Sequence, residues 1–235
     1  MNIVWFSSGV SSAISAILCR DELDLIIRIV MPDEHLDNNR FSDEIEEYLK
    51  PIPILKLYPQ YNVETVLKMF PSFGRHSKCT EILKKRLRKT WERENKGRHC
   101  YYWGYDRDEK GRMDNLISEN PKHDHRFPLI EKDLSKEDSH AILERIGIKR
   151  PAMYDLGFHN SNCIGCPKGG KWYWNKIRKF FPLRFEQMKV VEREIGYSFI
   201  NECYLDELDP NSGREEDEIS QECGIACFIE FSRIA

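Results

Sequence analysis

The sequence has no apolar run approaching the roughly 20 residues that cross a bilayer, which excludes a membrane-spanning helix. It lacks a charged opening segment followed by an apolar one, so no export signal is read and a cytoplasmic location is expected. An excess of one charge is missing too. The 36 Lys and Arg against 39 Asp and Glu leave a net charge of −3, which excludes a globally basic nucleic-acid binder while leaving room for a local basic face. No internal repeat is found, so solenoid and array architectures fall away.

What is present is enough apolar material, 40% of 235 residues, for one sizeable core with a small appended subdomain. The eight cysteines, in a chain read as cytoplasmic, are not expected to form a disulfide framework. They are core fillers, metal ligands or reactive thiols.

Residues 2–6 and 23–30 are short runs rich in Ile and Val, and residues 11–20 between them carry Ala, Ile and Leu at helical spacing. That pattern predicts strand, helix, strand. Further strands are predicted at 53–57 and 100–104, with helices at 63–70 and 80–95. Such alternation predicts an α/β fold with a parallel central sheet and helices on both faces, followed by a small cysteine-bearing helical part. In "LSKEDSHAILERIG", Ser135 is a helix N-cap with Asp138 three residues on, and Gly147 is the stop. Residues 171–196 read as two helices broken near Pro182 and ended by Gly196. Residues 206–218 are acidic with Pro210 and Gly213, and read as a mobile linker. The expected organisation is a nucleotide-binding α/β domain over 1–150, a Cys-x-x-Cys and helical subdomain packed on it over 151–204, and a linker and tail over 205–235.

The first strand runs into Ser7-Ser8-Gly9-Val10-Ser11-Ser12. A strand, a loop of small hydroxyl residues and glycine, and then a helix aim backbone N–H groups and a helix N-terminus at one point. That is an anion cradle, or else an ordinary turn with Ser11 or Ser12 as N-cap. The loop fits neither the Walker pattern nor the Gly-x-Gly-x-x-Gly fingerprint. The sharpest signal is Cys163-Ile164-Gly165-Cys166, a knuckle that places two thiols on one metal or cluster. The pair does not complete a site, and a structural zinc knuckle or two core thiols are the plainer readings. Cys19, Cys100 and Cys203 are read as core.

The serine loop resembles the modified phosphate loop of the adenine-nucleotide alpha-hydrolase superfamily, which includes N-type ATP pyrophosphatases and phosphoadenosine phosphosulfate reductases. ATP-cleaving members carry Ser-Gly-Gly-x-Asp-Ser, and Ser11 stands here where the Asp would be, which favours the reductase branch. By this resemblance Ser7, Ser8, Gly9, Ser11 and Ser12 bind an adenine nucleotide. "HSKCTEILKKRLR" resembles the family's cysteine and Lys-bearing helix, which implies Cys79, Cys163 and Cys166 as ligands of an iron–sulfur cluster of the 4Fe-4S type, with zinc as the alternative. Thr80 replaces the second cysteine of the family's first pair. The fourth position is therefore an open iron, or belongs to Cys227, His76 or His159. "YYWGYDRDEKGRM" resembles the family's Gly-x-Arg stretch, which implies Gly104, Arg107 and Arg112 at the nucleotide, with Arg107 and Arg112 holding phosphate or sulfate oxygens; a solvated charged turn is the alternative. Asp33, Glu34 and His35 match loosely a segment near the nucleotide. Glu222-Cys223-Gly224-Ile225 resembles the mobile tail of sulfonucleotide reductases, which makes Cys223 the nucleophile and thioredoxin the reductant. Ala226 replaces the family's His, and Cys223 and Cys227 read equally as ligands, a redox pair or buried residues.

Lys168, Lys171, Lys176, Arg178 and Lys179 interleave with Trp172, Tyr173, Trp174, Phe180 and Phe181, a pattern that can track a single strand of nucleic acid. A second basic helix carries Lys84, Lys85, Arg86, Arg88, Lys89 and Arg93 on what reads as a solvated face beside a core stripe of Leu83, Leu87 and Trp91. The expected function is a reductase of adenylyl sulfate or its 3′-phosphorylated form. The alternatives are an ATP-dependent sulfurtransferase or nucleic-acid-modifying enzyme with a cluster, and a non-catalytic zinc-knuckle nucleic-acid-binding module.

Overall fold

The first strand pairs on both sides. In the structure, a computed structural model describing residues 1–201 and 203–215, β1 (Asn2–Phe6) lies between β2 (Leu25–Ile29) and β4 (Cys100–Tyr102). β3 (Ile54–Leu57) and β5 (Asp124–Arg126) complete a five-stranded parallel sheet of order β3-β2-β1-β4-β5. The central strands are mostly apolar because both their faces are covered: Ile3, Val4, Ile26 and Ile27 have no exposed surface, and Arg28 of β2 is buried among them. The helices, in chain order, are α1 (Val10–Leu18), α2 (Asp37–Tyr48), α3 (Val63–Met69), α4 (Arg86–Glu94), α5 (Lys110–Glu119), α6 (Pro128–Glu131), α7 (Lys136–Arg145), α8 (Ala152–Asp155), α9 (Lys171–Phe180) and α10 (Pro182–Ile195). The order reverses at β1, as in a doubly wound sheet whose right-handed crossovers send helices to both faces. The expected α/β class is what the chain forms.

The chain divides into two compact units, each discontinuous in sequence. The first comprises 1–30, 36–58 and 89–152 and contains the whole sheet. Ser135 caps α7 with the predicted box, its hydroxyl accepting from Asp138 N–H while the Asp138 carboxylate accepts from Ser135 N–H. Three of this unit's elements have weak sequence signals. α2 is polar apart from Phe41 and Ile45, which it buries; β5 is the edge tripeptide Asp-His-Arg; and α5 buries only Leu116.

The second unit draws 31–35 and 59–88 together with the described residues from 153 onward. Its core is built on α9 and α10, with Tyr173, Trp174, Ile177, Phe185 and Met188 buried. Gly196 ends α10 in the left-handed region at φ 72, as its position predicts. The stretch read as a free linker is pinned over its described part. Arg193 pairs with Asp206 and Glu207, Arg178 donates to the Leu205 and Leu208 carbonyls, and Asn175 to those of Asp209 and Ser212. Arg178 and Asn175 of α9 capture its backbone and Arg193 of α10 its carboxylates, which an acidic, Pro/Gly-containing composition does not reveal. Cys223 and Cys227 lie outside the described residues. No described helix is long and apolar enough to cross a membrane.

Candidate functional site

The serine loop leaves β1 at its carboxyl end, at the strand where the sheet order reverses, and ligands of doubly wound sheets bind at that point. Gly9 is the N-cap of α1 and offers no side-chain cap, and the first-turn N–H groups of a helix have no intrahelical acceptor. The loop is knitted from within. Ser12 Oγ accepts from Ser7 N–H at 3.2 Å and donates to the Gly9 carbonyl at 3.0 Å, and the Ser7 and Ser12 hydroxyls are 2.9 Å apart. Ser8 holds a left-handed backbone at φ 60, a strained state for a non-glycine residue. Its side chain has no exposed surface, and its Oγ has no hydrogen-bond partner. Gly104, just past β4, is required by contact: a Cβ there would lie 2.5 Å from Ser12 Cα and N. This places Gly104 against the loop.

The two arginines differ. Arg107 is exposed. Arg112 stacks over the Tyr105 ring at 4.5 Å and bonds through Nη1 to Glu109, so much of its guanidinium serves the start of α5, while Nη2 is buried without a hydrogen-bond partner.

The second unit brings Cys79, Cys163 and Cys166 into the lining of one pocket, with Met31, Val63, Thr80, Lys84, Pro167 and Lys168. Its volume is about 360 Å³ counting the open mouth. The six described cysteines are not joined in disulfides. Cys79 sits at the start of a π-helical turn, Thr80–Lys85, and its sulfur accepts from the Ser77 hydroxyl at 2.8 Å. The knuckle turns at Gly165, φ 76, and is closed by Tyr173, whose hydroxyl donates to the Cys163 carbonyl and accepts from Cys166 N–H, both at 2.8 Å. Burial, and then the neighbouring Cys166 thiol, push the Tyr173 pKa well up, so the phenol stays a donor. Lys168 donates to Thr80 Oγ1 at 3.2 Å. The donor set is soft and its flanks are cationic, which suits a thiophilic metal or cluster. Among the described residues no group of three or more His, Cys, Asp or Glu side chains is arranged to hold a metal ion.

Other expectations are redirected. Asp33 belongs to the second unit and pairs with Arg184 at 2.6 Å. His76 and His159 do not line the thiol pocket, and His159 lies 3.5 Å from Glu215. Cys19 is buried, its thiol pushed up to about 11 chiefly by burial, but Cys100 and Cys203 are half-buried rather than core. Tyr173 and Trp174 have 2% and 0% exposure, so the basic aromatic segment offers no stacking platform from them; the apolar face of α9 takes them inward. Of the basic helix, Lys84, Lys85 and Arg88 are buried rather than solvated, the two lysines within the π turn and Arg88 just beyond it. Sequence reasoning missed Met31, Tyr173 and Arg184 as site residues. Tyr173 had no signal in the sequence: its ring packs on Gly169, where a Cβ would meet it at 2.0 Å, and that contact exists only in the folded chain.

No protein-family model matches the sequence, and no curated protein matches it. Among solved structures, the chain is similar to a crystal structure of phosphoadenylyl-sulfate (PAPS) reductase from Candida auris in a phosphate complex. The identity is 11% and the TM-score 0.48, over 67% of this chain and 79% of that one.

Proposed function

We propose that this chain is an oxidoreductase of the phosphosulfate-reductase type, which receives adenylyl sulfate or its 3′-phosphorylated form on the Ser7–Ser12 loop and holds an iron–sulfur centre on Cys79, Cys163 and Cys166. The observation that carries the nucleotide assignment is the loop itself. It stands at the reversal point of the sheet, ahead of the first turn of α1, with the buried Ser8 hydroxyl lacking a partner. Such a point receives phosphate oxygens through backbone N–H groups and the positive end of the helix. Arg112 Nη2 is a further buried donor for an oxyanion.

Three thiolates beside Lys84 and Lys168 form the donor set of a thiophilic centre, and an iron–sulfur cluster bound there supplies a redox-tunable centre. In the proposed reaction the Cys223 thiolate attacks the sulfate sulfur. The S–S bond forms as the S–O bond to phosphate breaks, and the nucleotide leaves with its phosphate. One thiolate of a dithiol of the thioredoxin class then attacks Cys223 Sγ, sulfite leaves with the bonding pair and a mixed disulfide forms; the second thiolate attacks that disulfide, Cys223 leaves as thiolate, and the dithiol closes to its own disulfide.

The test is an anaerobic assay of sulfite release from each nucleotide with thioredoxin as reductant, in wild type and Cys223→Ser. Wild type is expected to release sulfite and, without reductant, to trap a protein-bound sulfonate; Cys223→Ser should do neither. ATP-dependent chemistry with no sulfite from either nucleotide would overturn the proposal.

A further inference from the structure

The pocket of the three thiols contains a fourth sulfur-bearing residue. Met31, 5% exposed, lines it with Cys79, Cys163 and Cys166, and no carboxylate or imidazole is among the lining residues. Met31 is held there by a bracket two residues on. The Asp33 carbonyl accepts from Ile164 N–H at 2.7 Å, between the two knuckle cysteines. The Asp33 carboxylate accepts from Arg184 Nη2 at 2.6 Å and from Val63 N–H at 2.8 Å. Arg184 Nε in turn donates to the Ile164 carbonyl at 3.2 Å. The segment bearing Met31, the start of α3 and the knuckle are thus tied through one ion pair, and the Asp33 side chain is only 5% exposed. Of these, Val63 is itself a pocket residue.

We infer that Met31 is the fourth sulfur donor of a thiophilic metal centre whose other donors are Cys79, Cys163 and Cys166. The inference rests on the three-thiol reading above and deepens it. A thioether is a soft, neutral ligand. It completes a sulfur-only set without adding a fourth negative charge to three thiolates, whose charge Lys84 and Lys168 partly offset. The fourth position is thereby closed by the protein; the histidines that sequence reasoning offered for it stand outside the pocket, and Cys227 lies outside the described residues.

Methionine also permits a clean test, because leucine matches its volume and removes the sulfur alone. Reduced, metal-free full-length protein is titrated with Co2+ without oxygen, as wild type, Met31→Leu, Met31→Cys and Cys163→Ser. Wild type is expected to develop sulfur-to-cobalt charge-transfer and ligand-field bands. Met31→Leu should shift the ligand-field bands and weaken binding roughly tenfold, with Tm unchanged, and Met31→Cys should strengthen the charge-transfer band. Met31→Leu titrating like wild type would overturn Met31 as a donor and leave the three-thiol reading standing. That reading fails by itself if Cys163→Ser also titrates like wild type. Reconstitution with iron and sulfide separates a cluster from a single ion, and a spectrum that differs between wild type and Met31→Leu is expected for either.

Discussion

Glu192 has no exposed surface, yet both of its carboxylate oxygens are engaged. Phe199 N–H donates to one at 2.5 Å and Leu205 N–H to the other at 2.6 Å, so a single side chain on α10 ties down the chain that follows it. Burial is the largest influence on its pKa and raises it, against the two backbone donors, to about 7. The folded state therefore holds this proton more tightly than the unfolded chain, whose Glu titrates near 4.5. Its contribution to stability is complete below about pH 4.5 and is lost as pH rises through about 7. Thermal unfolding between pH 5 and 8 should show a component that falls with rising pH, of at most roughly 3 kcal/mol, and Glu192→Gln should remove that component. A pH slope identical in the variant would assign it elsewhere.

The π turn of Thr80–Lys85 carries Lys84 and Lys85 of the basic segment, both buried. A wide turn carries one more residue than an α turn, and such turns recur at functional sites. Here it follows Cys79 directly and buries Lys84 in the wall of the thiol pocket. An ammonium at that place favours thiolate over thiol. Lys84→Met should slow alkylation of the pocket cysteines by iodoacetamide severalfold at pH 7 with the fold intact, and unchanged alkylation kinetics would remove the lysine from that role. A hydrophobic stripe of period 3.6 had predicted an α-helix and a solvated basic face, and that pattern has no term for an inserted residue.

At the scale of the whole sheet, the reversal of strand order at β1 sets the serine loop beside Gly104. Gly104→Ala would drive a methyl into the backbone of Ser11 and Ser12, where neither side can yield cheaply. Overpacking of this kind costs about 1–3 kcal/mol. The variant should bind adenosine 3′,5′-bisphosphate at least tenfold more weakly than wild type by calorimetry, while its Co2+ titration is unaltered. Equal nucleotide affinity would mean that the loop is not the anion site.

Sequence by itself determined what local physics governs. Apolar runs rich in Ile became β1 and β2, the Ser135–Asp138 box capped α7, Gly196 ended α10, and the serine loop and the two-residue spacing of Cys163 and Cys166 marked both candidate sites. α2, α5 and β5 were not legible, because polar elements carry too few apolar positions to set a period. Which residues share the thiol pocket was decided only in three dimensions. Asp33 meets Arg184 across 151 positions of sequence, and Met31 joins cysteines up to 135 positions away, from 31 to 166. Pairings over such separations depend on how the elements pack, and neither spacing nor periodicity along the chain records that.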